Sequence, residues 1–128
     1  MTAALPVVGH AISRVEFDYA VSFLTDGDAF LRIEQAFELR GPAAPAAVVR
    51  PPDAAAHAGA LVQLLRGTVE RADVDDRGTL RLGVSGGREI VVPPDNAYEA
   101  WTFAGARGEH VVCLPGGGVT GWGAEEGA

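Results

Sequence analysis

Lysine is absent from this 128-residue chain: all ten of its basic residues are arginine. A Walker-type phosphate loop needs a lysine to reach the phosphates, and a Schiff-base enzyme needs a lysine amine, so both chemistries are excluded. Cysteine occurs once, as Cys113, which rules out an intrachain disulfide and gives no sign of an oxidising compartment. Long hydrophobic runs are missing too. No stretch approaches the ~20 apolar residues that cross a bilayer as a helix. The start, Met1 to Gly9, lacks the basic and apolar regions of a secretory signal. The expectation is a cytoplasmic protein with no membrane contact.

Positive charge is also scarce. Seventeen acidic residues against ten arginines give a net charge of −7, so a phosphate backbone would be repelled and nucleic acid is not an expected partner. Such a surface suits a basic protein partner, or serves only to keep the chain soluble. Apolar residues at 48% and charged residues at 21% are globular values. Residues 1–128 are read as a single domain, long enough to bury roughly two-thirds of its unfolded surface.

Alternation with period two dominates what is present. Ile12, Arg14, Glu16 and Asp18 oppose Ser13, Val15 and Phe17 across a strand. Tyr19 to Thr25 and Phe30 to Leu39 follow as β-rich runs about an Asp26-Gly27-Asp28 turn, the second either continuous to Leu39 or broken near Gln35. Gly41 to Pro52 carries four prolines and reads as an irregular connection. A helix is expected over about 54–66, with Asp53 as N-cap and Gly67 as the C-terminal glycine. Short strands return at Thr68–Val74, Thr79–Ser85 and Arg88–Val92, the last two joined by a two-residue Gly86-Gly87 turn. Tyr98–Ala104 and Glu109–Leu114 form a final hairpin about Gly105–Gly108, and a closing strand runs near Val119 to Trp122. The fold class is therefore mainly β (α+β): antiparallel meanders forming a sandwich or partly open barrel, with one covering helix.

The chain echoes itself. Val21-Ser22-Phe23 and Leu31-Arg32-Ile33 resemble Leu80-Arg81-Leu82 and Ile90-Val91-Val92 at a shift of 59 residues, while Ile12 and Val69 open preceding strands at a shift of 57. Residues 12–39 and 69–104 read either as a weak internal duplication or as two runs of ordinary hairpin grammar.

Candidate site residues concentrate in the last third: Tyr98, Glu99, Trp101, Gly116, Gly117, Gly118 and Trp122. With Ala104 opposite Glu109, the expected register puts Glu99, Trp101, Phe103, His110, Val112 and Leu114 on one core face. Successive glycines can turn backbone N–H groups inward as an anion-binding concavity. The expected occupant is the Glu99 carboxylate, capping the Gly116–Gly118 turn; an external carboxylate or phosphate is the rival reading. These seven residues are expected to be structural before they are binding residues. Nothing else carries chemistry. Cys113 and His110, three residues apart, fall on opposite faces of a strand, which is wrong for a catalytic dyad. Two ligands do not make a tetrahedral metal site. The Asp73-Asp75-Asp76-Gly78 run has Val84 where a calcium loop needs glutamate. Glu16, Asp18, Glu34 and Glu38 fall on polar strand faces.

Three sets of residues resemble an uncharacterised domain family common in actinobacteria: Tyr98-Glu99-Ala100-Trp101, Val111 to Gly117, and Trp122. Val15 to Tyr19, Leu31 to Glu34 and Gly78 to Leu82 extend the resemblance. It implies a compact domain with no established reaction or cofactor. More loosely, the chain is similar to small acidic immunity proteins that neutralise toxins by binding them. The expected function is non-enzymatic contact with another protein, through self-association as a homodimer or through a basic partner, with no cofactor and no metal. The alternative is a small-molecule-binding β domain with an aromatic pocket lined by Trp101, Trp122 and Tyr98.

Overall fold

The structure is a computed structural model that describes residues 3–42 and 45–121. It is a β sandwich of two six-stranded antiparallel sheets. The strands are β1 Ala3–Ala4, β2 Ile12–Phe17, β3 Val21–Thr25, β4 Phe30–Ile33, β5 Phe37–Arg40 and β6 Ala47–Val49. After the helical segment come β7 Val69–Val74, β8 Leu80–Val84, β9 Arg88–Val92, β10 Trp101–Ala104, β11 His110–Cys113 and β12 Val119–Thr120. One sheet runs β1-β7-β8-β9-β5-β6 and the other β12-β11-β10-β4-β3-β2.

The core lies between the sheets because each strand turns alternate apolar residues inward. Phe23, Ile33, Phe37, Leu80, Ile90, Trp101 and Phe103 are among its fully buried members. Outward positions carry charge instead. On one sheet Arg40, Arg71 and Arg81 surround Glu89, while Arg40 also pairs with Glu38 and Arg71 with Asp73.

Of the two readings of the Phe30–Leu39 run, the break near Gln35 holds: β4 and β5 lie in different sheets, and Glu34 to Ala36 carries the chain across. Other expectations change. Gly41 to Pro52 is not wholly irregular, since β6 forms there and pairs with β5 through Phe37↔Val49 and Leu39↔Ala47. The four prolines all fall outside β6, with Pro45 before it and Pro51 and Pro52 after it, so none is asked to donate to its ladder. The helix predicted over 54–66 is shorter and starts earlier. It is a 3-10 segment, Pro51–His57, running into α1, Ala58–Val62. Asp53 is not its N-cap; Arg50 holds that position without a side-chain cap, and Pro51 opens the helix. The left-handed residue at its end is Arg66 (φ 69°), not Gly67.

Gly67 is required for a different reason, since a Cβ there would run into Val84. The Gly86-Gly87 turn is also one residue longer than expected, because Val84↔Arg88 is the last pair of its ladder. Finally, β10 and β11 pair one residue out of the expected register. Ala104 faces His110 and Thr102 faces Val112, with Gly105 N–H bonded to the Glu109 carbonyl at 2.9 Å. Because side chains alternate, that slip exchanges faces. Val111 and Cys113 now join Trp101 and Phe103 inside.

Candidate functional site

One end of the sandwich gathers the sequence-singled residues. Phe17, Val21, Ile33 and Trp101 form a single row across the sheet of β2, β3, β4 and β10. Whatever follows Phe17 and Ile33, or precedes Trp101, therefore emerges at this end. Tyr19, Glu34, Tyr98 and Glu99 all do.

Beneath the surface of this end lies a clasp between the sheets. The turn after β7 is shaped by Asp75, whose Oδ1 accepts the N–H groups of Arg77 at 2.9 Å and Thr79 at 3.0 Å. Its Gly78 carbonyl receives the Trp101 indole N–H at 2.9 Å and lies 3.4 Å from the Cys113 Sγ. The Arg77 carbonyl accepts Gly118 N–H at 2.7 Å, so β10, β11 and the glycine turn all grip one turn of the opposite sheet. The loop between β9 and β10 is held in the same way. Asp95 accepts Ala97 N–H at 2.7 Å and Tyr98 N–H at 3.2 Å through Oδ2, and its own carbonyl accepts Gly116 N–H at 2.7 Å.

This geometry corrects the expected anion concavity. Gly116 N–H goes to Asp95, Gly117 N–H to the Leu114 carbonyl at 3.0 Å and Gly118 N–H to Arg77, so all three donors are taken by backbone carbonyls. Glu99 is exposed and caps none of them. Consequently Glu99→Gln should leave the unfolding midpoint where it was, within about 0.5 kcal/mol in a urea titration, as for an ordinary surface change. Sequence reasoning missed Asp95, whose Asp-Asn-Ala-Tyr context is a turn signal that could have marked it as the loop's organiser.

Trp101 is fully buried and does not line the groove beside Tyr98; Trp122 lies outside the described residues. Tyr98 is half exposed and borders an open groove of about 340 Å³ with Glu34, Gln35, Pro51, Pro52 and Asp53. Its hydroxyl reaches the Gln35 Oε1 at 3.5 Å. The void between the sheets has a free volume of only about 20 Å³, lined by Leu5, Ile12, Phe23, Leu31, Val69 and Phe103 among others. That is room for about one water, and its apolar lining offers a water too few partners.

Cys113 is wholly buried, and burial pushes its thiol pKa up. It is expected to resist iodoacetamide in the folded protein and to be alkylated only as fast as the chain unfolds, which mass spectrometry along a urea series would read. His110 sits on the exposed face of β11, and His10 Nδ1 lies 2.8 Å from the Thr25 hydroxyl at the far end. Neither joins Cys113. Among the described residues no three His, Cys, Asp or Glu side chains converge as a metal site. No described helix is long and apolar enough to cross a membrane.

A family model described as a family of unknown function (DUF6188) matches residues 3–123, and the chain belongs to that family. No curated protein and no solved structure matched it.

Proposed function

We propose that this protein acts by contact with a basic protein partner, made at the end of the sandwich that carries the crossovers. The observation behind the reading is the surface there. Tyr19 is 86% exposed, Tyr98 46% and Phe17 41%, and all three are carried at this end of the sandwich. Around them stand the exposed carboxylates of Glu34, Asp53 and Glu99, with Arg50 the nearby cation of the groove. Tyrosines supply large contact area at small entropic cost, and a rim of one charge sign steers a partner of the other.

Native mass spectrometry of the protein drawn gently from its host tests this, comparing the wild type with a Tyr98→Ala/Glu34→Lys variant. A heterocomplex that weakens with salt and is lost in the variant supports the reading. A homodimer indifferent to the variant would place the contact on another surface. A monomer carrying a stoichiometric small mass would replace it with ligand binding.

A further inference from the structure

The two sheets repeat one construction. In each, a three-stranded meander (β2-β3-β4 or β7-β8-β9) is completed by the hairpin that follows the other meander in sequence. β5 leaves its own sheet to pair with β9, and β10 leaves its own to pair with β4. The repetition reaches individual bonds. A shift of 57 residues carries the bulge between Ile12 and Arg14 onto the bulge between Val69 and Arg71.

The same shift exchanges the two ends of the contact between the halves. Ile12 N–H bonds the Gly67 carbonyl at 2.9 Å, and Val69 N–H bonds the His10 carbonyl at 2.8 Å, on either side of an Ala11↔Thr68 bridge. Arg66 N–H to the Ile12 carbonyl and Gly9 N–H to the Val69 carbonyl, both 2.8 Å, are a second exchanged pair. Gly9 and Arg66 both have positive φ, 94° and 69°. Even the side-chain acceptors match. Ala11 N–H is capped by Asp26 Oδ1 at 2.9 Å and Thr68 N–H by Ser85 Oγ at 3.0 Å, while Asp26 and Ser85 each return their own N–H to the carbonyl they face. Generic hairpins do not reproduce one another's bulges, caps and mutual contacts; a two-fold relation does.

We infer that the chain is a fused dimer: two copies of one five-stranded unit, β2–β6 and β7–β11, joined through a self-complementary interface of the kind that joins identical subunits. The unit's partner is a second copy of itself, supplied here by the same chain through the 50–68 connection. Because each unit gives two strands to the other's sheet, neither has a closed core alone.

The test starts from the whole protein. A protease recognition sequence is inserted between Gly59 and Ala60, both exposed, and the folded chain is cut there. The two fragments are expected to stay together as a 1:1 complex, and to regain the uncut protein's circular dichroism after unfolding in urea and dilution. A fragment that folds alone as a monomer overturns the inference. So does a cut pair that fails to reassemble where the uncut insertion variant refolds. Should the insertion itself prevent folding, the matched caps decide. Asp26→Ser and Ser85→Asp should keep the unfolding midpoint, while Asp26→Ala and Ser85→Ala lower it by comparable amounts. Interchanged variants as damaged as the alanine ones would overturn the inference.

Discussion

Gly78→Ala is expected to lower the unfolding free energy by about 2–4 kcal/mol. Gly78 is buried with φ at +92°, a conformation that costs an L-residue about 1–2 kcal/mol. The added Cβ would also stand 2.9 Å from the Gly118 carbonyl oxygen and 3.0 Å from Cys113 Sγ. Backbone cannot yield as a flexible side chain does, and overpacking of this kind adds about 1–3 kcal/mol. In a thermal scan the midpoint should fall by roughly 10 °C. A fall of less than about 1 kcal/mol would mean that the clasp between the sheets is looser than its hydrogen bonds imply. Gly59→Ala is the matched control, because a Cβ there meets nothing within 4 Å.

The strands inside each meander were legible because alternation and turn chemistry agree there. Leu80 to Val84 alternates inward and outward along its length, Val21 to Thr25 and Arg88 to Val92 are rich in β-formers, and Asp-Gly and Gly-Gly mark their ends. The crossovers were hidden because nothing local distinguishes a strand that continues from one that changes sheet. Glu34-Gln35-Ala36 is three polar or small residues, and only the distant partners β9 and β10 decide where the chain goes next. β6 was masked by the prolines that flank it, since only Ala47 to Val49 lies between Pro45 and Pro51 to carry a strand signal.

At the site, the importance of Trp101 and the glycine triplet was visible, but their role was not. The Gly116–Gly118 donors could be assigned only once Asp95 and Arg77, both distant in sequence, were known to present carbonyls to them. The register slip of β10 on β11 has a similar origin. Gly105 to Gly108 looks like a complete loop, yet Glu109 is drawn into it, its carboxylate accepting Arg107 N–H at 2.9 Å.

The two crossovers differ in length, and the difference falls on the proposed contact surface. The first spans 34–36 and the second 93–100, so a shift of 59 residues before the second becomes 64 after it, carrying Phe37 onto Trp101 and Val48 onto Val112. The added residues include Asp95, which pins the loop to the glycine turn, and the loop displays Tyr98 and Glu99 beyond it. A longer crossover in one half breaks the internal symmetry at one place. That place is where Tyr98 and Glu99 stand exposed.

Trp101→Phe carries the other large expected effect, a loss of about 2–4 kcal/mol, and it separates the clasp from simple packing. Phenylalanine keeps most of the buried apolar area but is smaller, leaving a void in a fully buried position. It also removes the one strong donor to the Gly78 carbonyl among the described residues, since the Cys113 thiol at 3.4 Å is a weak one. An unsatisfied buried carbonyl costs about 1–3 kcal/mol by itself. Phe37, which occupies the equivalent position in the other half, is the internal comparison: it is equally buried and lacks any polar atom. Phe37→Leu should therefore cost only its packing, about 1–1.5 kcal/mol. Because Trp101 and Gly78 meet at one hydrogen bond, the Trp101→Phe/Gly78→Ala double variant should fall short of the sum of the singles by 0.5 kcal/mol or more, roughly the coupling expected of residues in contact. Strict additivity in denaturant titrations would sink the clasp as a unit and leave two independent packing defects in its place.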